Sequence, residues 1–482
     1  RFLPSRGLGD VYKRQYLYRH SMKKKQLRWT LWTIASPFIL FIILCILIYL
    51  PPIQNFLVDK AAVYASEATG MNISVGRISL SFPLNLVVTD VDAASPHKDT
   101  LLSVRRLQVN VQLLPLLKKQ VEVDGISLQG ATVNSNDLIH GMRLNGTLGE
   151  LFISSHGVAL DPETAIVNKV LLKDTDLSLC LNDTAAADTA ASDPTYWKII
   201  LQDIDLQNVS FALDMPLDSL SLAASLDNAT LRDGLIDLHK SAYSLQTFRI
   251  KNGRVRYDSG RPSATASADS LSAGLDPSHI ALTDIGVKLD SLYYEGRNMK
   301  AVISQFVLKE RSGVEIVSTE GRLVSNDKVL RVPSLKLETR DSYLELNAAM
   351  DWDALDFKKE GLVSARLMAD IGKPDVVRFM GSMDEKFIRK YPSEPLRIRT
   401  GIDGDLNKLK LTTLTAELPG ALELFAKGEL TSLTDSLLRG GDITLQAETK
   451  DLKFISTLAE GIEIPYGTRL EGKFTMAGPK MG

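Results

Sequence analysis

The chain has 482 residues, 24% of them charged, and a formal net charge of −2 at pH 7. This balance lacks the basic excess typical of nucleic-acid-binding surfaces, so we expect no nucleic-acid partner. Hydrophobic residues make up 44% of the chain, and there are only two cysteines. We therefore expect stability to come from backbone pairing and apolar burial, without disulfides.

Residues 1–21 show no hydrophobic periodicity, and Leu8–Gln15 (LGDVYKRQ) is typical of a translated adaptor remnant. We interpret residues 1–21 as a non-native leader, with Met22 as the start, and exclude them from the fold prediction. The strand-like segment Leu470–Met476 lies very near the other end. We expect the chain to be the N-terminal part of a longer protein.

One apolar run, Trp29–Leu50, follows the basic segment 23–28 and ends at Pro51-Pro52. As a helix it would reach roughly 33 Å, enough to cross a hydrocarbon core about 30 Å thick. A cleaved signal peptide has a shorter apolar core that ends at small residues. Because basic flanks stay cytoplasmic, residues 22–52 are predicted to be a flank and transmembrane anchor, with the rest of the chain across the membrane.

The next segment, 53–70, is predicted to be a short amphipathic helix that ends at Gly70. Its polar face is not basic, which favours packing against protein over lying on a membrane surface. The apolar face consists of Ile53, Phe56, Leu57, Ala61, Tyr64, Ala65 and Ala68.

From Ile73 onward the hydrophobic period changes to two, which indicates β-strands. Residues 71–482 are therefore predicted to be mainly β, in one elongated antiparallel body. Two segments, Pro374–Tyr391 and Asp451–Gly461, have helical spacing instead. The predicted strands after the first 250 residues are Ile280–Leu292, Ala301–Leu308, Val314–Val317, Val329–Leu337, Tyr343–Met350, Leu362–Ala369, Leu396–Ile402, Leu406–Leu424 and Ile443–Ala447.

A loose motif recurs in Ile126–Val133, Val170–Leu179, Ile204–Leu213 and Phe248–Tyr257. Each copy has two apolar residues five positions apart: Leu128 and Val133, Leu172 and Leu177, Leu206 and Phe211, and Ile250 and Val255. A two-residue hairpin loop pairs positions five apart on one face, and Asn252-Gly253 is a strong hairpin signal. The alternative is a single strand with a bulge at Gly130 or Asn208, which also changes the face that side chains occupy.

The order of these features resembles the N-terminal part of the AsmA-like superfamily, most closely its long TamB-type members in diderm bacteria. The resemblance covers Lys23 to about Asn134 and is only a general pattern beyond. Besides the flank and span, it rests on Pro51-Pro52, Thr69–Ile78, Leu86–Asp92, Leu102–Leu117 and Val121–Val133.

The resemblance implies a long, open, curled sheet with an apolar groove, anchored in the bacterial inner membrane and crossing the periplasm. It implies a role in moving phospholipid toward the outer membrane or, alternatively, in assembling and secreting outer-membrane proteins. The family's C-terminal domain, which would face an outer-membrane β-barrel partner, is not recognised in this sequence.

No catalytic or metal-binding motif is found in the sequence. The six histidines are isolated, and there is no His-Glu-x-x-His, Cys-x-x-Cys, Gly-x-Ser-x-Gly or phosphate-binding glycine loop. We therefore predict no enzyme and no cofactor. A lipid conduit is favoured over a protein-assembly scaffold, with a periplasmic enzyme third. The predicted lipid-groove lining is Leu128, Val133, Leu172, Leu177, Leu206, Phe211, Ile250 and Val255.

Overall fold

The computed structural model shows one curled sheet of 22 strands with a few short helices, which confirms the mainly β prediction. The residues that the structure describes are 52, 56, 60, 62–64, 66–67, 69–81, 85–95, 100–112, 123–135, 141–159, 163–182, 196–260, 274–356, 359, 361–379, 385–433, 438–457, 465–477 and 480–481.

The strands alternate with short turns along most of the chain. They are β1 Asn72–Ser81, β2 Asn85–Ala94, β3 Thr100–Val111, β4 Val123–Asn134, β5 Met142–Ala159, β6 Thr164–Leu181, β7 Lys198–Met215, β8 Leu220–Asp237, β9 Ala242–Leu245, β10 Thr247–Ser259, β11 His279–Glu295, β12 Asn298–Glu310, β13 Glu315–Ser325, β14 Val329–Thr339, β15 Tyr343–Asp351, β16 Val363–Ile371, β17 Leu396–Gly404, β18 Lys408–Leu418, β19 Leu422–Thr431, β20 Gly440–Thr449, β21 Arg469–Ala477 and β22 Lys480–Met481.

Strand order in the sheet follows chain order. β9 and β10 share one position, because both lie between β8 and β11. All neighbouring strands are antiparallel except β6 and β7, which pair in parallel from Thr164 opposite Lys198. The prediction of a purely antiparallel sheet is therefore wrong at this one pair. Its two strands carry the second and third copies of the motif, so equivalent residues such as Leu172 and Leu206 lie side by side.

The four motif copies are continuous strands, so the prediction of tight hairpins is wrong and the alternative of a single strand is correct. The irregularity at Gly130 and Asn208 is a left-handed residue without the register shift of a bulge. Positive φ values occur inside these strands at Gly130, Asp174, Asn208 and Asn252. A left-handed residue adds one position to the strand and changes which face the following side chains occupy. Asn252 supplies this conformation in the middle of β10, where Asn252-Gly253 indicates a turn from the sequence.

These residues are part of a single row, which we call the kink row. The residue pairs on the two sides of the row keep one register, so β1–β8 and β10 each have their kinked residue at the same place. Crowding selects glycine at some positions, since a Cβ atom on Gly149 would lie 2.8 Å from Cβ of Asp174. The members are Gly76, Asp90, Arg105, Gly130, Gly149, Asp174, Asn208, Asp227 and Asn252.

The predicted helix over Pro374–Tyr391 is two short helices, α1 (Lys373–Phe379) and α2 (Glu385–Lys390). In Asp451–Gly461 the described residues contain only a 3-10 turn, Ile455–Thr457, so the helix predicted there is not found in that part. Both segments are too short to build a second layer against the sheet.

A small apolar cluster forms where α2 meets the ends of β17–β20. Phe387 and Tyr391 pack edge-on to Phe454, with ring centroids 5.8 and 5.2 Å apart. Leu418 and Ala421 of the β18–β19 hairpin are buried in the same cluster. Burial raises the pKa of the Tyr391 hydroxyl. This cluster covers the ends of these strands at one rim of the sheet.

Before β1, the described positions between 52 and 69 are helical, as predicted, and Gly70 ends the helix with a φ of +69°. Ser66 Oγ accepts a 3.0 Å hydrogen bond from Ile73 N and joins the helix to β1. Two described members of the predicted apolar face, Phe56 and Tyr64, are 60% and 75% exposed. The packing predicted for these two side chains is therefore wrong. The predicted anchor, Trp29–Leu50, lies outside the described residues.

A candidate apolar groove

The eight predicted groove residues lie in two rows that run across the strands. Four of them share one row, in the order Leu128, Leu151, Leu172, Leu206, Ala229, Ile250 and Val287. The other four share a second row, in the order Val133, Gly146, Leu177, Phe211, Ala224, Val255 and Leu282. The structure therefore brings all eight together.

The kink row lies between these two rows and places both on the same face. In an unbroken strand, residues five apart point to opposite faces. The extra residue at the kink reverses this alternation. On β1, Ile73, Val75, Ile78 and Leu80 are all partly buried, while the intervening residues are exposed, with the change of phase at Gly76.

β10 shows the difference between the two faces. Its exposed residues, Arg249, Lys251, Arg254 and Arg256, alternate with apolar residues that are buried or half-buried, Phe248, Ile250, Gly253, Val255 and Tyr257. Among the described elements, β10 has its main contacts with its neighbours in the sheet, β8 and β11. We call the apolar side the groove face.

The groove face extends far beyond the motif copies. One row, which we call the long row, crosses the sheet from β1 to β21 without a charged residue. Strands about 4.8 Å apart give this row a length of about 90 Å. Its members are Leu80, Leu86, Val109, Ile126, Ile153, Val170, Ile204, Leu231, Phe248, Leu289, Ile303, Gly321, Leu335, Leu346, Leu367, Thr400, Leu414, Ala426, Leu445 and Gly472.

None of the eight predicted groove residues is buried. Seven are half-buried, and Phe211 is 38% exposed. A closed core would bury most such side chains completely. In the part of the chain that the structure describes, these residues therefore form an apolar surface that is only partly covered.

The opposite face is charged and carries ion pairs between neighbouring strands. Arg399 Nη2 lies 2.8 Å from Asp370 Oδ1, and Lys473 Nζ lies 3.0 Å from Asp442 Oδ2. The Lys473 ammonium and the Thr475 hydroxyl, which bond to this carboxylate, hold the pKa of Asp442 below its ordinary value. One face of the sheet therefore carries charged side chains, whereas the long row on the other face carries none, so the two faces differ in polarity.

Sequence reasoning missed several groove residues because it missed their strands. β5 contributes Leu151 and Ile153, and β8 contributes Ala229 and Leu231. The strand register identifies these four positions, because each of them pairs directly with a residue of a motif copy.

The described residues contain no group of three or more His, Cys, Asp or Glu side chains placed to hold a metal ion. Within the same part of the chain, no helix has both the length and the apolar character needed to cross a bilayer. No protein-family model matches the chain, and a comparison with curated proteins finds no match.

Proposed function

We propose that this protein is a conduit for lipid and that acyl chains cover its groove face. The observation that carries the proposal is the long row, an uncharged path of about 90 Å that crosses nearly every strand of one sheet. Exposed apolar patches of this extent mark binding sites for apolar ligands, membranes or proteins.

Backbone pairing favours acyl chains over polypeptide as the occupant. β2 to β20 each have a hydrogen-bonded neighbour on both sides. The groove face therefore has few backbone groups to offer a polypeptide, whose own N–H and C=O groups would lose water without replacement. An acyl chain has no such groups, and apolar contact alone is sufficient to hold it.

The energy of this contact suits transport. Each buried methylene contributes about 0.8 kcal/mol, so a chain of roughly 15 carbons gains on the order of 10 kcal/mol. The gain is spread over many similar Leu, Val and Ile side chains, so no single position is a deep trap. The groove face would act as a slide along which lipid moves.

The cellular setting that we propose follows from the sequence resemblance. The chain would be an AsmA-like, TamB-type protein anchored once in the bacterial inner membrane. Its N-terminus would be cytoplasmic and its sheet periplasmic, conducting phospholipid toward the outer membrane. An outer-membrane β-barrel partner would engage a further C-terminal region. The helix that ends at Gly70 and joins β1 through Ser66 supports a direct connection between anchor and groove.

A carboxylate placed on the slide tests the proposal. Leu206→Asp puts a charge under the lipid, and desolvating it costs several kcal/mol. Gln207→Asp is the matched control, because it adds the same charge to the same strand on the other face. Native mass spectrometry of the full-length protein should show lipid bound to wild type and Gln207→Asp but lost from Leu206→Asp. Outer-membrane integrity in cells should follow the same order.

The same variant distinguishes an open slide from a packed core. On an open face the new carboxylate is solvated when lipid is absent, so Leu206→Asp should keep wild-type protease resistance. Unchanged lipid binding in Leu206→Asp would reject the conduit, and loss of protease resistance together with function would show a packed core.

One observation favours the scaffold alternative. β1 has a single described partner strand, β2, so its other edge offers backbone groups to an added strand. Crosslinks from β1 to unfolded outer-membrane proteins would support this function.

A further inference from the structure

The two rims of the groove face differ in chemistry. One rim, where β8 and β11 end and β12 begins, carries aromatic side chains; we call it the aromatic rim. The other, where β11 begins and β14 ends, is lined by α1 and α2; we call it the helical rim. This difference bears on how a lipid lies in the groove.

The aromatic rim presents rings that are half in contact with protein and half exposed. Tyr243 and Tyr294 stack with centroids 6.2 Å apart and are 40% and 43% exposed. Along the same rim, Tyr196 packs on His239 at 5.2 Å, and the Arg297 guanidinium lies 5.6 Å from the ring of Trp352. Tyrosine and tryptophan concentrate where an apolar region meets water, because the ring is apolar and its polar atom needs a partner.

The tyrosine pair also belongs to the groove face. Ile236 pairs with Tyr243, and Tyr294 pairs with both Tyr243 and Met299. These residues continue the apolar face to the edge of the sheet, where the two phenol rings end it. A chain lying on this face would pass directly from aliphatic side chains to phenol hydroxyls and water.

The helical rim is occupied by protein instead. Arg378 of α1 accepts a hydrogen bond from Leu275 N at its carbonyl and donates one to Asp341, both across 2.7 Å. Asp375 of α1 accepts a 2.6 Å bond from Ser342 Oγ. Farther along, α2 packs on Leu418 and Leu422, whose side chains belong to the groove face. Protein therefore occupies this rim beside Leu275, at the β14–β15 turn and at the β18–β19 hairpin.

We propose that lipid headgroups leave the groove at the aromatic rim, while the acyl chains point toward the helical rim. This inference rests on the proposed function and adds an orientation to it. The ligand class is a phospholipid-like amphiphile with acyl chains long enough to lie on the face. Tyr243 and Tyr294 would mark the depth at which its ester region sits.

Depth-dependent fluorescence quenching tests the orientation in the full-length protein. In a background with all four native tryptophans replaced by phenylalanine, single tryptophans are introduced as Tyr243→Trp, Tyr294→Trp and Tyr257→Trp. Tyr257 lies on the groove face of β10 near the helical rim. The quenchers are phosphatidylcholines brominated either next to the ester or near the chain end.

We expect the ester-side bromine to quench both aromatic-rim reporters about two-fold more than the chain-end bromine, because rings at an apolar–polar boundary would lie beside the ester region. Tyr257→Trp should give the opposite order. The orientation would be overturned if the same bromine quenched more strongly at both rims, or if the order at each rim were the reverse of the expected one. Leu206→Trp separates the two hypotheses: without quenching there, the conduit itself fails, whereas quenching there with the wrong order at the rims rejects only the orientation.

Discussion

At the scale of the residue, the left-handed positions of the kink row decide which side chains share a face. Asn208 has a φ of +51° in the middle of β7, and its Nδ2 donates a 2.9 Å hydrogen bond to Oδ1 of Asp174 on β6. Asn252 makes the equivalent bond to Asp227. Asn and Asp tolerate this conformation better than other residues with a Cβ atom, and β-branched residues tolerate it worst.

Substitution at Asn208 tests this requirement. Asn208→Val should lower the free energy of unfolding by about 1–3 kcal/mol, because valine is strained at positive φ. Asn208→Gly should stay closer to wild type, since glycine adopts this φ freely. Ser210→Val, on the same strand at an ordinary φ, is the control. Denaturant unfolding and amide exchange of β6–β8 measure the effect; equal losses for valine and glycine would contradict it.

The sequence predicted the apolar face better than the strand boundaries. Period-two alternation identified Leu206, Phe211, Ile250 and Val255 as one set, and the structure places each in one of the two rows. The change of the face that side chains occupy is not predicted from the sequence alone, because Asn252-Gly253 has the same local preference in a hairpin and in a bulge. Pairing with other strands decides between a hairpin and a bulge, and the hydrophobic periodicity of one segment carries no information on that pairing.

Two strands of the structure, β5 and β8, are not predicted from the sequence. β5 contains Gly146 and Gly149, and β8 contains Asp233-Gly234, so both resemble turns in isolation. Gly149 is needed because a side chain there would collide with Asp174 of the neighbouring strand. Such a glycine is explained by its neighbour in space, which the sequence of its own strand does not contain.

At the scale of the element, α1 is held by a buried carboxylate. Asp375 is 1% exposed and accepts hydrogen bonds from the hydroxyls of Thr339 and Ser342 and from the Arg378 guanidinium. This arrangement joins the helix to the turn between β14 and β15. Val376 of the same seven-residue helix also packs against the apolar cluster.

Asp375→Ala should therefore release α1 from the sheet. Breaking a buried charged pair by removing one partner costs about 3–5 kcal/mol. Glu385→Ala is the matched control, since its pair with Arg389 on α2 is highly exposed and such pairs contribute about 0–1 kcal/mol. Hydrogen exchange should show lost protection at α1 and the β14–β15 turn in Asp375→Ala alone. Equal protection in the two variants would show that other contacts hold the helix.

At the scale of the whole molecule, the described strands form one sheet without a second layer. With β9 and β10 sharing a position, 22 strands about 4.8 Å apart span on the order of 100 Å along the sheet. Curling shortens the direct distance but does not make a compact body.

Small-angle scattering checks this shape. A compact domain of about 430 residues has a radius of gyration near 22 Å. Residues 53–482 in solution should give a clearly larger value, because the sheet is long and only one layer thick. A measured value near 22 Å would mean that the groove face is folded against itself, which would remove the surface that the proposed conduit requires.

The chain order of the strands has a consequence for biogenesis. Nearly every strand finds its partner in the strand made just before it, so loop closure is short at each step. The sheet can grow one strand at a time from β1 as the polypeptide emerges. Each new strand pairs on arrival, so unpaired backbone groups are confined to the growing edge and to the outer edge of β1. A protein of this architecture can also gain or lose pairs of strands during evolution without rebuilding a core.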